Sequence, residues 1–208
     1  MNRSLRIISL ALAAVVLTTG SVAAQQATLQ SLRWPPASVS LDDAFRHLGA
    51  DTIRIGRAEA EIHVFVDAPD NVVERLYWIQ FEGYPETGSN RYDYSDLPHA
   101  DTVDGFMFRS DVRYGAYSDA EMRDEHDTRK VVGILRDHGL EVPAPMMRVR
   151  MVTLDETRKN ELLVIYMEDL IAAGYTEEQL DDGAWPEAAS GLRQRAMSGL
   201  HLQHDQTE

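Results

Sequence analysis

The sequence predicts an α+β fold: an antiparallel β-sheet built from two hairpins, with helices packed beside it. Three observations lead there. The stretch Glu61–Tyr84 holds two runs rich in β-branched and aromatic residues on either side of Ala68-Pro69-Asp70-Asn71. A second pair of runs, Met146–Leu154 and Glu161–Asp169, flanks the polar segment Asp155–Asn160. Further segments outside these pairs carry helix caps or helix-like periodicity. The alternative architecture is a small, partly closed β-barrel with terminal helices.

The N-terminus carries Arg3 and Arg6, then the apolar run Ile7–Leu17, then small residues ending in Ser21-Val22-Ala23-Ala24. That order is the pattern of a secretory signal peptide cleaved after Ala23 or Ala24, so residues 1–24 are expected to be removed. The apolar run falls short of the roughly 20 residues of a bilayer span. The mature chain is therefore expected to be soluble, without a membrane span, and exported to the periplasm or beyond.

Residues 25–39 read as an irregular leader, because Pro35-Pro36 excludes helix. A short helix is expected from the cap Ser40, with Leu41, Ala44, Phe45 and Leu48 on one face and Gly49 as its stop. Thr52–Ile55 and Ala58–Val66 read as strand material, with one long strand broken at Gly56 as an alternative. Ile62, Val64 and Val66 share one face, and His63 and Phe65 the other. Proline fixes φ in the following turn, and Asp70 and Asn71 suit it. In Glu74–Gly83, Tyr77, Ile79 and Phe81 oppose Leu76, Trp78, Gln80 and Glu82.

Tyr84–Gly105 reads as a long loop with interleaved tyrosines and acidic residues. Loops of that length in a folded domain are commonly functional. Phe106–Arg113 is a further strand. Ser118 and Glu121 form a capping box ahead of a polar helical segment, and Asp127–His138 is the better helix. Met146–Leu154 alternates, with Met147, Val149, Met151 and Thr153 opposing Arg148, Arg150, Val152 and Leu154. Glu161–Asp169 is assigned as its hairpin partner because Val164, Ile165 and Tyr166 favour strand, although a helix from Asp155 to Ala173 also fits. Thr176–Leu180 is a short capped helix, and Pro186–Leu202 a terminal helix. Residues 40–203 thus form one domain, and 204–208 a frayed tail.

Composition narrows the functions. With 34 acidic and 20 basic residues the net charge is −14, which disfavours binding to phosphate backbones. Losing Arg3 and Arg6 makes the mature chain more acidic by two charges. No cysteine is present, so disulfides, thiolate nucleophiles and Cys-ligated metals are excluded. No nucleotide-binding, nucleophile-elbow or zinc-protease motif occurs, and no cofactor is indicated.

Weaker candidates remain. Tyr84, Tyr92 and Tyr94 offer amphipathic rings for ligand recognition. Asp93, Asp96, Asp101 and Asp104 carry oxygen ligands, but not at the alternate spacing of a calcium loop. His63 on the hairpin and His126 in Asp124-Glu125-His126-Asp127 are the candidate proton carriers. Met146, Met147 and Met151 read as core filler rather than soft-metal ligands. The favoured function is an exported, non-catalytic protein binding a small ligand or a protein partner. The alternative is a hydrolase-type enzyme using a His/carboxylate pair.

Overall fold

The computed structural model describes residues 28–31, 33–116 and 127–204. The predicted signal peptide, Ser118 and Glu121, His126 and residues 205–208 lie outside the described residues.

A seven-stranded antiparallel sheet forms the body. Its strands are β3 (Arg46–Ile55), β4 (Ala58–Asp67), β5 (Arg75–Gly83), β6 (His99–Val103), β7 (Phe106–Gly115), β8 (Met146–Leu154) and β9 (Asn160–Asp169). Their spatial order is β3-β4-β5-β9-β8-β7-β6. The chain meanders from one edge to the centre, crosses to the far edge at β6, and meanders back. Both predicted hairpins form, β4-β5 and β8-β9, and β5 lies against β9 at the centre of the sheet. Residues 161–169 are therefore strand, as their β-branched content suggests. The sheet is open, with β3 and β6 as its edges, and does not close into a barrel.

Strand alternation divides the side chains between two faces. On the first face lie Phe65, Tyr77, Ile79, Phe81, Phe108, Met147, Val149, Met151, Leu162, Val164 and Tyr166, all buried. The three-stranded sheet β1 (Thr28–Ser31), β2 (Ala37–Leu41) and β10 (Leu200–His204) contributes to this core, together with α3 (Trp185–Ser198). The second face carries Ile62, Val64, Val66, Leu76, Trp78, Leu163, Ile165 and Met167. It is covered in part by α1 (Asp127–Asp137), through Val131 and Leu135, and by Leu97. Met147 and Met151 sit in one core and Met146 in the other, as filler.

Several local expectations are corrected. The segment 25–39 is not simply an irregular leader: Thr28–Ser31 and Ala37–Leu41 pair as strands and bury Leu29, Ala37 and Val39. No helix starts at Ser40. Leu41 ends β2, the Phe45 amide donates to the Asp42 carbonyl at 3.0 Å, and β3 begins at Arg46. Leu41 and Phe45 are both buried, and a turn satisfies their spacing as well as a helix would; Ala44 is exposed. Gly49, read as a helix stop, instead sits at a register shift between His47 and Gly49, with φ 150°. Gly56 does not interrupt one long strand but turns the chain, with φ 61°, so that β3 and β4 pair antiparallel. The terminal helix ends at Ser198, and Leu200 and Leu202 enter the first core as strand. The loop reading of Tyr84–Gly105 holds only to residue 98, since β6 pairs with β7 through an Asp104-Gly105 turn of positive φ. His204 closes β10 and stacks on Phe106 at 3.9 Å rather than fraying.

Two local expectations are met closely. Asp70 and Asn71 take the left-handed conformation in the β4–β5 turn, with φ 52° and 64°. Thr176 and Gln179 form a reciprocal capping box on the single turn α2 (Glu177–Gln179).

Candidate functional site

The second face changes character along its length. Toward β3 and β4 it is apolar. On the central strands, β5 places Trp78, Gln80 and Glu82 in a row, and β9 places Glu161, Leu163 and Ile165 beside them. Next come Arg148 and Arg150 of β8, then Asp111 and Arg113 of β7. All of these side chains except Asp111, with Tyr94 and the start of α1, line a cavity of about 490 Å³.

Glu82 and Glu161 are directly opposed on adjacent strands. They are 8% and 2% exposed, so two carboxyl groups share a nearly dry site. Like charges in that position destabilise a sheet, and burial adds to the penalty. Burial is the larger cause and the neighbouring Glu82 the second; together they push the Glu161 carboxyl up to about 8. The Tyr94 hydroxyl and Arg150 oppose that rise. Burial also raises Glu82, against two hydrogen bonds that favour its ionised form. At neutral pH Glu161 therefore holds its proton.

Glu82 is well provided with donors. The Tyr92 hydroxyl donates to its Oε1 at 2.7 Å, and Gln80 Nε2 donates to its Oε2 at 2.6 Å. Gln80 in turn accepts from Trp78 Nε1 at 3.0 Å. Glu161 differs: its buried Oε2 has no hydrogen-bond partner among the described residues.

The three tyrosines singled out from the sequence form a stacked ladder over this end of the sheet. Ring centroids are 4.5 Å apart for Tyr84–Tyr92 and 6.3 Å for Tyr92–Tyr94. Tyr92 is buried against Glu82. Tyr94 lines the cavity and lies under Arg150, whose guanidinium carbon is 5.9 Å from the ring centre. Arg150 Nε also donates to Asp111 at 2.7 Å. Tyr94 is shared with a second, more apolar cavity of about 530 Å³, where Met107 is 72% exposed.

The other sequence candidates lie elsewhere. His63 is on the first face, buried, with Nε2 2.6 Å from Glu61 Oε1. Its ring stacks on His47 at 5.5 Å and meets the edge of Phe81, and it lines neither cavity. Burial, then the His63 charge, lowers the His47 pKa. The four aspartates do not converge. Asp93 pairs with Arg158 at 2.7 Å, and Asp96 is exposed. Asp101 accepts from Ser110 and Arg193, and Asp104 caps the Leu202 amide at 2.9 Å. Among the described residues no three metal-binding side chains of His, Cys, Asp or Glu come together.

Sequence reasoning passed over Gln80, Glu82, Glu161 and Arg150. The available signal was two strand ends, each placing a Glu on a face that also carries Leu, Ile and Trp. No known protein family, curated protein or solved structure matches the chain.

Proposed function

We propose that this is an exported protein that binds a small polar molecule, without covalent chemistry, in the cavity bounded by Glu82, Glu161, Tyr94 and the β8 arginines. The observation that carries the reading is the buried, unpartnered Oε2 of Glu161 beside a cavity of about 490 Å³. Buried polar atoms are nearly always satisfied, so an orphan carboxylate oxygen on a residue that lines a ligand-sized space suggests a partner supplied from outside. Export rests on the N-terminal pattern of charge, apolar run and small residues. Among the described residues the hydrolytic alternative draws on the Glu61–His63 contact, which lies on the face opposite this cavity.

The test has two parts. Protein recovered from the exported fraction should begin at Ala24 or Gln25 by intact mass. Native mass spectrometry of that protein, followed by thermal-shift screening against small charged organic molecules, should reveal a ligand. A Leu163→Trp change, which fills the cavity floor, should remove binding while circular dichroism stays unchanged. If no molecule binds the native protein, or if Leu163→Trp binds as tightly as the native chain, the reading fails.

A further inference from the structure

We infer that the cavity takes a short zwitterion, with its ammonium group seated between Glu82 and Glu161 under Trp78 and Tyr94, and its anionic group facing Arg148 and Arg150. This deepens the reading above and depends on it.

The ammonium end follows from hydrogen-bond bookkeeping. The donors around Glu82, from Tyr92 and Gln80, are already used. Glu161 Oε2 lacks one. An ammonium brings three donors and a full positive charge, and no neutral group of the pocket does. A cation in that place also relieves the repulsion between two opposed carboxyl groups. Trp78 and Tyr94 line the same space, and aromatic faces favour organic cations.

The anionic end follows from strand register. Glu161 is opposite Leu154 on β8. Arg150 and Arg148 lie four and six residues further along that strand, roughly 13 and 20 Å away at the usual rise. The long Glu and Arg side chains close much of this gap, so the bridging unit is on the order of four to six bonds. A ligand with a second positive charge would meet the arginines. A ligand with a carboxylate or phosphate there would be held by forked hydrogen bonds.

Proton linkage gives the inference a signature of its own. The groups facing Glu161 are Glu82 on β5, Tyr84, Tyr92 and Tyr94 in the loop, Arg150 on β8 and Asp127 on α1. With Glu161 protonated up to about pH 8, an entering ammonium displaces that proton. The proton leaves to solvent, and a carboxylate–ammonium pair remains. Affinity should then rise by up to about tenfold per pH unit from pH 6 toward 8.

The experiment is calorimetry on the mature protein with 6-aminohexanoate, hexylamine and hexanoate at pH 6, 7 and 8, in phosphate and in Tris. We expect 6-aminohexanoate to bind tightest, with a proton released and affinity rising with pH. Glu161→Gln should weaken it at least tenfold and abolish the proton release. Hexanoate binding as tightly as 6-aminohexanoate overturns the ammonium site, and hexylamine doing so overturns the anionic end. Affinity independent of pH and of Glu161→Gln also overturns the inference. If none of the three binds at millimolar concentration while another molecule from the screen occupies the Leu163 cavity, the inference fails and the ligand-site reading stands. If nothing binds at all, both fail.

Discussion

Glu161→Gln should stabilise this protein at alkaline pH and do little at acidic pH. Glu161 is 2% exposed, and its carboxyl is pushed up to about 8 from a reference of 4.5. The sign follows from linkage. The folded state holds the proton more tightly than the unfolded chain, so folding is favoured by the group below the unfolded value. That contribution is present in full below pH 4.5 and is lost as pH rises to 8, where the native carboxyl ionises. The full penalty above pH 8 is at most about 5 kcal/mol, at 1.36 kcal/mol for each pH unit between the two values. Relaxation and water entry around a buried charge reduce it, so we expect about 2–3 kcal/mol. Glutamine has the shape of the protonated acid and nearly its hydrogen-bonding capacity, and therefore removes the titration without opening a cavity. For a chain of this size the gain amounts to a melting-temperature rise of about 5–10 °C. The assay is calorimetric melting of both proteins from pH 4.5 to 9. The two curves should nearly coincide at pH 4.5 and diverge as pH increases. Parallel curves, or a variant that loses stability at pH 8.5, would refute the claim that Glu161 is held protonated by burial beside Glu82.

Tyr92→Phe removes the hydroxyl that donates to Glu82 Oε1 at 2.7 Å. It should cost about 1–2 kcal/mol in urea unfolding at pH 8, and less as pH falls and Glu82 takes up a proton. Arg195→Ala breaks the paired 2.7 Å hydrogen bonds to Glu168, a carboxylate 4% exposed that also accepts from the Tyr166 hydroxyl at 2.5 Å. A loss of about 2 kcal/mol is expected, because Arg195 is itself half-exposed and screened. Adding Glu168→Gln to Arg195→Ala should recover part of it, and a double variant no better than the single would count against the pair.

The fold was legible where side-chain period and turn chemistry agreed. The β4–β5 and β8–β9 pairs each combine β-branched runs with a polar connection, and both formed in the expected register of faces. It was illegible where one spacing served two conformations. Leu41 and Phe45 needed only to reach the first core, and a turn between strands delivers them there as well as a helix face. Leu200 and Leu202 likewise read as the end of a helix until Gly199 is seen to end it at its C-cap. There an added Cβ would lie 2.8 Å from the Tyr77 hydroxyl, so glycine is required by close approach. The tyrosine loop was visible because rings among acidic residues stand out locally. The Glu82–Glu161 pair was not, because it depends on β5 meeting β9 after an excursion to the opposite edge of the sheet. A contact between residues so far apart in the chain is set by topology, which local patterns do not encode.

The two faces of the sheet also differ in what they contribute. The first is filled by large apolar side chains from all its central strands and sealed by β1, β2, β10 and α3. That core supplies the burial a cysteine-free chain needs to stay folded. The second face is apolar only under α1 and Leu97, and beyond them it buries two opposed carboxyl groups next to a row of arginines. An apolar pair at positions 82 and 161 would stabilise the sheet more, since buried charges gain less from pairing than they lose by desolvation. The hydrogen-bond chain from Trp78 through Gln80 to Glu82, completed by Tyr92, nevertheless fixes one carboxylate in place and leaves an oxygen of the other unmatched. A polar network that leaves a buried carboxylate oxygen unmatched beside a cavity is a poor device for stability. In the receptor we propose, the costly arrangement of charge is complete before a ligand arrives.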